Sequence, residues 1–183
     1  MIFEKSYLIA PEAAPSLTKQ EEHDFVALIE THQGIIHKVC RLYAFGKAER
    51  EDLFQEIVLQ LWRNYHSFGG KAKISTWMYR VALNTAISAL RKKERRPNLN
   101  SNEPLPFGLA ERIQDPDLAE KRQFLYRAIE QLSEIERAII LLYLEEHSYD
   151  EISQIMGITS NNVGVKLNRI KVKLKKKISP HFE

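Results

Sequence analysis

The side chains best suited to chemistry in this chain are amides and cations, and they recur at helical spacing near the C-terminus. Between Ser160 and Ile178, the residues Val163, Leu167, Ile170, Leu174 and Ile178 form one apolar stripe with the period of an α-helix. Asn162, Lys166, Arg169 and Lys173 lie on one side of it, and Asn161, Gly164, Asn168, Lys171 and Lys175 on the other. A helix that buries one face and offers amides and cations on the rest suits the major groove of duplex DNA. Asparagine bonds bidentately to adenine, arginine to guanine, and lysine neutralises phosphate. Asn161 and Asn162, beside Ser160 at the helix start, are the candidate base readers. Lys166, Arg169, Lys171 and Lys173 are the candidate cationic contacts, with Lys171 onward assigned to the DNA backbone. The bland alternative is a solvated basic helix on any small helical protein. Gly164 is out of place, because mid-helix glycine costs about 1 kcal/mol relative to alanine. It reads either as a point of close approach to DNA backbone or as neutral variation.

A second constellation lies upstream. Trp77, Arg80, Asn84, Ser88 and Arg91 share one helical stripe, with Tyr79 beside it. Met78, Val81, Ala82 and Thr85 share another that suits a core. Single-stranded nucleic acid requires rings on which bases stack and cations for its phosphates, and the first stripe supplies both. The preceding loop adds Lys71 and Lys73. The competing reading makes Trp77 a half-buried packing residue. Between these regions and the N-terminus, Glu49, Glu51, Asp52, Gln55, Glu56 and Gln60 give an acidic and amide surface unsuited to DNA. A solvated helix face is the default for such a pattern, with a protein partner as the functional alternative.

Other chemistries find little support. His23, His32, His37, His66, His147 and His181 lack metal-ligand spacing, and no glycine loop could cradle a phosphate. Glu145, Glu146 and His147 are consecutive, so on a helix they diverge and read as solvated surface. No cofactor, metal or enzymatic activity is expected. The single cysteine, Cys40, excludes an intramolecular disulfide and sits in an apolar stretch that suits an inert thiol. The longest apolar run, Ala138 to Leu144, is far short of a membrane span. The N-terminus makes a poor signal peptide, so a cytoplasmic location without membrane insertion is expected. Net charge is only +3, yet residues 91–96 read RKKERR and residues 166–177 read KLNRIKVKLKKK. Basic blocks in a near-neutral chain point to local contact with a polyanion.

The elements that must position these residues are helical throughout. Thr18 and Glu21 have capping-box spacing and open a helix expected from Lys19 to Phe45, bent or broken at Gly34 and ended by Gly46. Its apolar face comprises Phe25, Leu28, Ile29, Ile35, Ile36, Val39 and Leu42. A second helix is expected from Glu49 to Tyr65, burying Leu53, Ile57 and Leu61. After a loop at Ser67–Ser75 with paired glycines, Ser75 or Thr76 caps a third helix reaching Lys93. Residues 97–116 carry four prolines, several asparagines and one glycine, the composition of a linker. Ser133 with Glu136 and Ser148 with Glu151 repeat the capping-box spacing, and Tyr149–Met156, Gly157 and the basic helix make a helix-turn-helix pattern. The expected fold is all-α, with two small helical domains joined by a linker. Residues 1–18 form a tail, 19–96 the first domain, 97–116 the linker and 117–183 the helix-turn-helix domain.

Taken together, these segments resemble a known family. Glu51-Asp-Leu-Phe-Gln-Glu-Ile-Val-Leu-Gln-Leu-Trp62 and Ile74-Ser-Thr-Trp-Met-Tyr-Arg-Val-Ala-Leu-Asn84 resemble region 2 of bacterial sigma factors. Leu132-Ser-Glu-Ile-Glu-Arg137, Tyr149–Ile158 and Val163–Lys171 resemble region 4. The layout is similar to the extracytoplasmic function group, and the resemblance runs from about Glu21 to Ile178. It implies a promoter-specificity subunit of RNA polymerase with core polymerase and promoter DNA as partners. Asp52, Leu53, Gln55 and Glu56 would dock on the clamp helices of the polymerase largest subunit. The Phe68–Ile74 loop with Trp77, Tyr79, Arg80 and Asn84 would capture the opened minus-ten element. The recognition helix would read the minus-thirty-five element, the linker would thread towards the RNA exit path, and an anti-sigma partner is allowed. Two departures stand out. Gly164, Val165 and Lys166 replace a common lysine-serine-arginine, and Ala82-Leu-Asn84 replaces alanine-arginine-asparagine. A stand-alone helix-turn-helix regulator is the alternative, but such proteins are usually dimers. The acidic second helix and the lack of an evident dimer seam weigh against it.

Overall fold

The computed structural model describes residues 18–44, 46–70, 73–94, 124–125 and 127–178, with Glu94 by its backbone alone. Lys71, Phe45, the N-terminal tail and the linker at 97–116 lie outside the described residues. The chain divides into two compact units, one with residues 1–97 as its body and the other with residues 98–153 and 158–183. Every regular element among the described residues is helical.

In the first unit, helices α1 (Lys19–Tyr43), α2 (Lys47–Arg63) and α3 (Ile74–Glu94) each pack against the other two. The capping box at the start of α1 closes reciprocally. Thr18 Oγ1 accepts from the Glu21 amide at 3.3 Å, and Glu21 Oε2 accepts from the Thr18 amide at 2.8 Å. Phe25, Ile36, Val39 and Leu42 are buried, whereas Leu28, Ile29 and Ile35 are only half-buried at its edge. Gly34 neither breaks nor ends the helix, which runs through it. Gly46 does not close α1 either. Ala44 turns extended there (φ −121°), and Gly46 is the N-cap of α2. Helix α2 is shorter than expected at its C-terminal end and gives way to a 3-10 turn at Tyr65–Ser67.

Gly69 and Gly70 take φ values of +54° and +66°, the left-handed region that glycine enters without strain. Helix α3 starts at Ile74 with Thr76 buried in its first turn. The buried face of α3 is Met78, Tyr79, Ala82, Leu83, Ala86 and Ile87. It is rotated from the expected stripe, leaving Val81 and Thr85 half-buried.

In the second unit, helical residues 127–130 precede α4 (Glu134–Leu144), α5 (Tyr149–Met156) and α6 (Ser160–Ile178). The boxes at Ser133–Glu136 and Ser148–Glu151 both close as their spacing requires. Glu146 takes φ +61° at the end of α4, a position that glycine usually fills. Gly157 (φ +65°) ends α5, and the Ile158 amide donates to Ser153 O at 3.2 Å, closing a Schellman turn. Thr159 Oγ1 then accepts from the Asn162 amide to cap α6. Ile152 of α5 is fully buried, as are Val163, Leu167 and Ile170 of α6. Leu174 is 7% exposed, and Ile178 is half-buried. Helix, tight glycine turn and longer helix make the helix-turn-helix that the sequence pattern predicts.

Candidate nucleic-acid and protein interfaces

Burying the stripe of α6 turns the opposite surface outward. Asn161, Asn162, Asn168 and Arg169 are exposed and Lys166 is half-buried. Two valines join them, Val165 at 42% and Val172 at 69% exposure. Lys166, Arg169, Lys175 and Lys176 have no ion pair among the described residues. This is an amide and cation surface at the start of a helix whose other face is locked into a core.

The remaining basic residues of α6 are used differently. Lys171 donates to the Tyr143 hydroxyl at 2.9 Å, and its ammonium lies 4.1 Å from the centre of that ring. The hydrogen bond with Tyr143 raises the Lys171 pKa. Lys173 donates to Glu136 Oε1 at 2.5 Å, and Lys177 donates to Gln131 Oε1. Burial pushes the Glu136 carboxyl up, but hydrogen bonds from Lys173 and Ser133, with the charge of Lys173, outweigh it and hold the carboxyl below its ordinary value. Three lysines thus clamp α6 to α4 and the turn before it. The Ser160 hydroxyl is also engaged, donating to Asp150 Oδ1 at 2.5 Å across the helix-turn-helix. Gly164 sits beneath Tyr149, where a Cβ would lie 3.4 Å from Tyr149 Cε2. That is ordinary contact distance, so the packing against Tyr149 does not itself require a glycine here.

In the first unit, Trp77, Arg80 and Asn84 are half-buried on one face of α3, and Lys73 is exposed ahead of it. Phe68, from the loop, lies against Trp77 with ring centres 5.3 Å apart. Tyr79 departs from the expectation: it is 3% exposed and belongs to the core. Residues two apart on a helix diverge by about 160°, so Trp77 and Tyr79 do not share a surface. The ring beside Trp77 is therefore Phe68 and not the expected Tyr79, and Phe68 is marked in the sequence by its position before Gly69.

On α2, Asp52, Gln55 and Glu56 are exposed, and Glu56 Oε1 accepts from Gln60 at 2.8 Å. Leu53 points the other way, 8% exposed, and anchors the helix. A groove of about 360 Å³ beside this face is lined by His37, Cys40, Arg41, Lys47, Arg50, Glu51, Phe54 and Gln55. Burial pushes its Cys40 thiol up to about 12, against the opposing charge of Arg50, the reverse of an activated nucleophile. No cluster of metal-ligating residues occurs among the described residues, and no described helix is long and apolar enough to cross a membrane.

Residues 28–96 match the family model Sigma-70 region 2, and residues 122–174 match Sigma-70, region 4. The chain is 31% identical to the ECF RNA polymerase sigma-E factor of Escherichia coli, over 88% of this chain and 90% of that protein. It is also 31% identical to the ECF RNA polymerase sigma factor SigG of Mycobacterium tuberculosis, over 63% of this chain but only 30% of SigG, so it spans about a third of that relative's length. Two solved structures share its fold. The first is CnrH in complex with the cytosolic domain of CnrY, with TM-score 0.63 at 16% identity, covering 87% of this chain and 90% of that one. The second is the sigma factor RpoE in complex with the anti-sigma factor NepR from Bartonella quintana, with TM-score 0.61 at 18% identity, covering 88% and 98%. With two ordered family regions and a match to sigma-E over nearly its whole length, the chain belongs to the ECF family of RNA polymerase sigma factors.

Proposed function

We propose that this chain binds core RNA polymerase and directs it to promoters. Its first unit would engage the minus-ten element and its helix-turn-helix the minus-thirty-five element. The observation that carries this reading is the pairing, in one chain, of an exposed carboxylate and amide face on α2 with two faces suited to nucleic acid. Carboxylates repel phosphate, so Asp52 and Glu56 suit a protein partner and leave α3 and α6 to the DNA. In this division residues 19–96 act as the polymerase and minus-ten module, residues 117–183 as the minus-thirty-five module, and residues 97–116 as the tether.

The chemistry is recognition without catalysis. Opened promoter bases would unstack onto Trp77 and Phe68, with Lys71, Lys73 and Arg80 meeting phosphates and Asn84 offering an amide. Duplex DNA would meet Asn161, Asn162, Lys166 and Arg169. Such a subunit works beside its polymerase in the cytoplasm. Since two proteins of this fold were solved with partner chains, one the cytosolic domain of CnrY and the other the anti-sigma factor NepR, we assign this chain an anti-sigma partner as well.

The test is the double substitution Asp52→Ala with Gln55→Ala. Both side chains are exposed, so the fold should persist while affinity for core polymerase falls about tenfold, the scale of losing interface contacts. Fluorescence anisotropy of labelled protein against core polymerase measures it. Unchanged affinity would remove α2 as the docking face.

A further inference from the structure

The outward face of α6 contains an apolar side chain that neither folding nor phosphate binding explains. Val165 is 42% exposed, on the side opposite the buried Val163 and Leu167. Exposed valine does nothing for a helix, since it is a poorer helix former than alanine. One turn earlier stand Asn161 and Asn162, and one turn later stand Asn168 and Arg169, all exposed. Placed in the middle of a polar reading surface, that apolar group is suited to an apolar counterpart on the DNA. In the major groove a base pair presents only one, the C5 methyl of thymine.

We infer that Val165 is a specificity-determining residue that packs against a thymine methyl in the upstream promoter element. The inference rests on the proposed reading of α6 as the duplex-reading helix. Asn161, one helical turn away, then meets a neighbouring adenine, and the two together select an A·T-containing step. Val172 is more exposed at 69%, but it lies nearly two turns further along, beside the cationic end of the helix. Base contacts in this motif come from the N-terminal part of the recognition helix, so Val172 serves as an internal control.

The test begins with the full chain assembled with core RNA polymerase and a randomised duplex library, from which the upstream element is selected. Each thymine of that element is then replaced singly by uracil, which removes the methyl and leaves the hydrogen-bonding edge intact. One replacement should weaken binding about fourfold, the scale of losing one buried methyl-sized group. In Val165→Ala, which improves helix propensity and so stays folded, the same replacement should cost nothing further; Val172→Ala should keep the full effect. Uniform insensitivity to uracil, or a Val165→Ala protein that keeps the fourfold loss, overturns the assignment while leaving promoter reading by α6 intact. Failure to select any upstream element overturns both.

Discussion

Arg169 and Lys173 are both exposed cations on α6, yet only Lys173 has an anchoring carboxylate, Glu136. This difference separates a cation left open to solvent from one that holds the helix. Arg169→Ala should weaken duplex binding and reduce the slope of log K against log salt by about one, because one fewer counterion is released. Lys173→Ala should leave that slope unchanged and lower the stability of the second unit; an equal loss of slope from both would erase the distinction. In α2 the corresponding contrast is Leu53 against Asp52. Leu53→Ala should destabilise the first unit by about 2–3 kcal/mol in urea denaturation, as expected for a buried leucine, while Asp52→Ala stays near zero. Much of this was legible in the sequence, since amphipathic spacing marks which side of α6 is buried. The capture of Lys171 by Tyr143 and of Lys173 by Glu136 was not. Those partners lie 28 and 37 residues away, beyond any local pattern. Tyr79 was misplaced for a different reason: a stripe drawn through Trp77 does not reveal how far the core extends round the helix.

At the scale of elements, the helix starts were the most legible features, because a capping box is closed by side chains three residues apart. All three boxes form where their spacing predicts. Glycines were harder to place, as their roles depend on what approaches them. Gly46 opens α2 instead of ending α1, and Gly164 lies under Tyr149. The Cβ introduced by Gly164→Ala would sit at ordinary contact distance, 3.4 Å, from a ring edge of the part-exposed Tyr149. Helix propensity should therefore prevail, stabilising the second unit by about 0.5–1 kcal/mol in a denaturant titration. Loss of stability would mean that Tyr149 cannot yield. The junction of α4 and α6 is expected to weaken in acid. Glu136 has a folded pKa below its unfolded value, so its stabilisation is present at neutral pH and is lost as pH falls through the folded value. Glu136→Gln should flatten the acid limb of the stability profile of this unit, whereas an unchanged limb would place the acid sensitivity elsewhere.

For the whole molecule, surfaces of opposite charge lie on separate helices. The first unit carries the carboxylate face of α2 together with the aromatic and cationic face of α3, and the second carries the amide and cation face of α6. Their order and helical character were legible because each unit is built from local signals, namely caps, glycine turns and apolar stripes. The central claim is that a single chain of this kind confers promoter choice on a polymerase that lacks it. It is tested most directly by adding the purified chain to core RNA polymerase and mapping transcription from a fragmented genomic library. The account predicts start sites that share two upstream elements at a fixed separation, and their loss with Asp52→Ala and Gln55→Ala combined. Failure of the chain to bind polymerase, with duplex DNA binding by the chain alone intact, would contradict it and mark a stand-alone helix-turn-helix regulator.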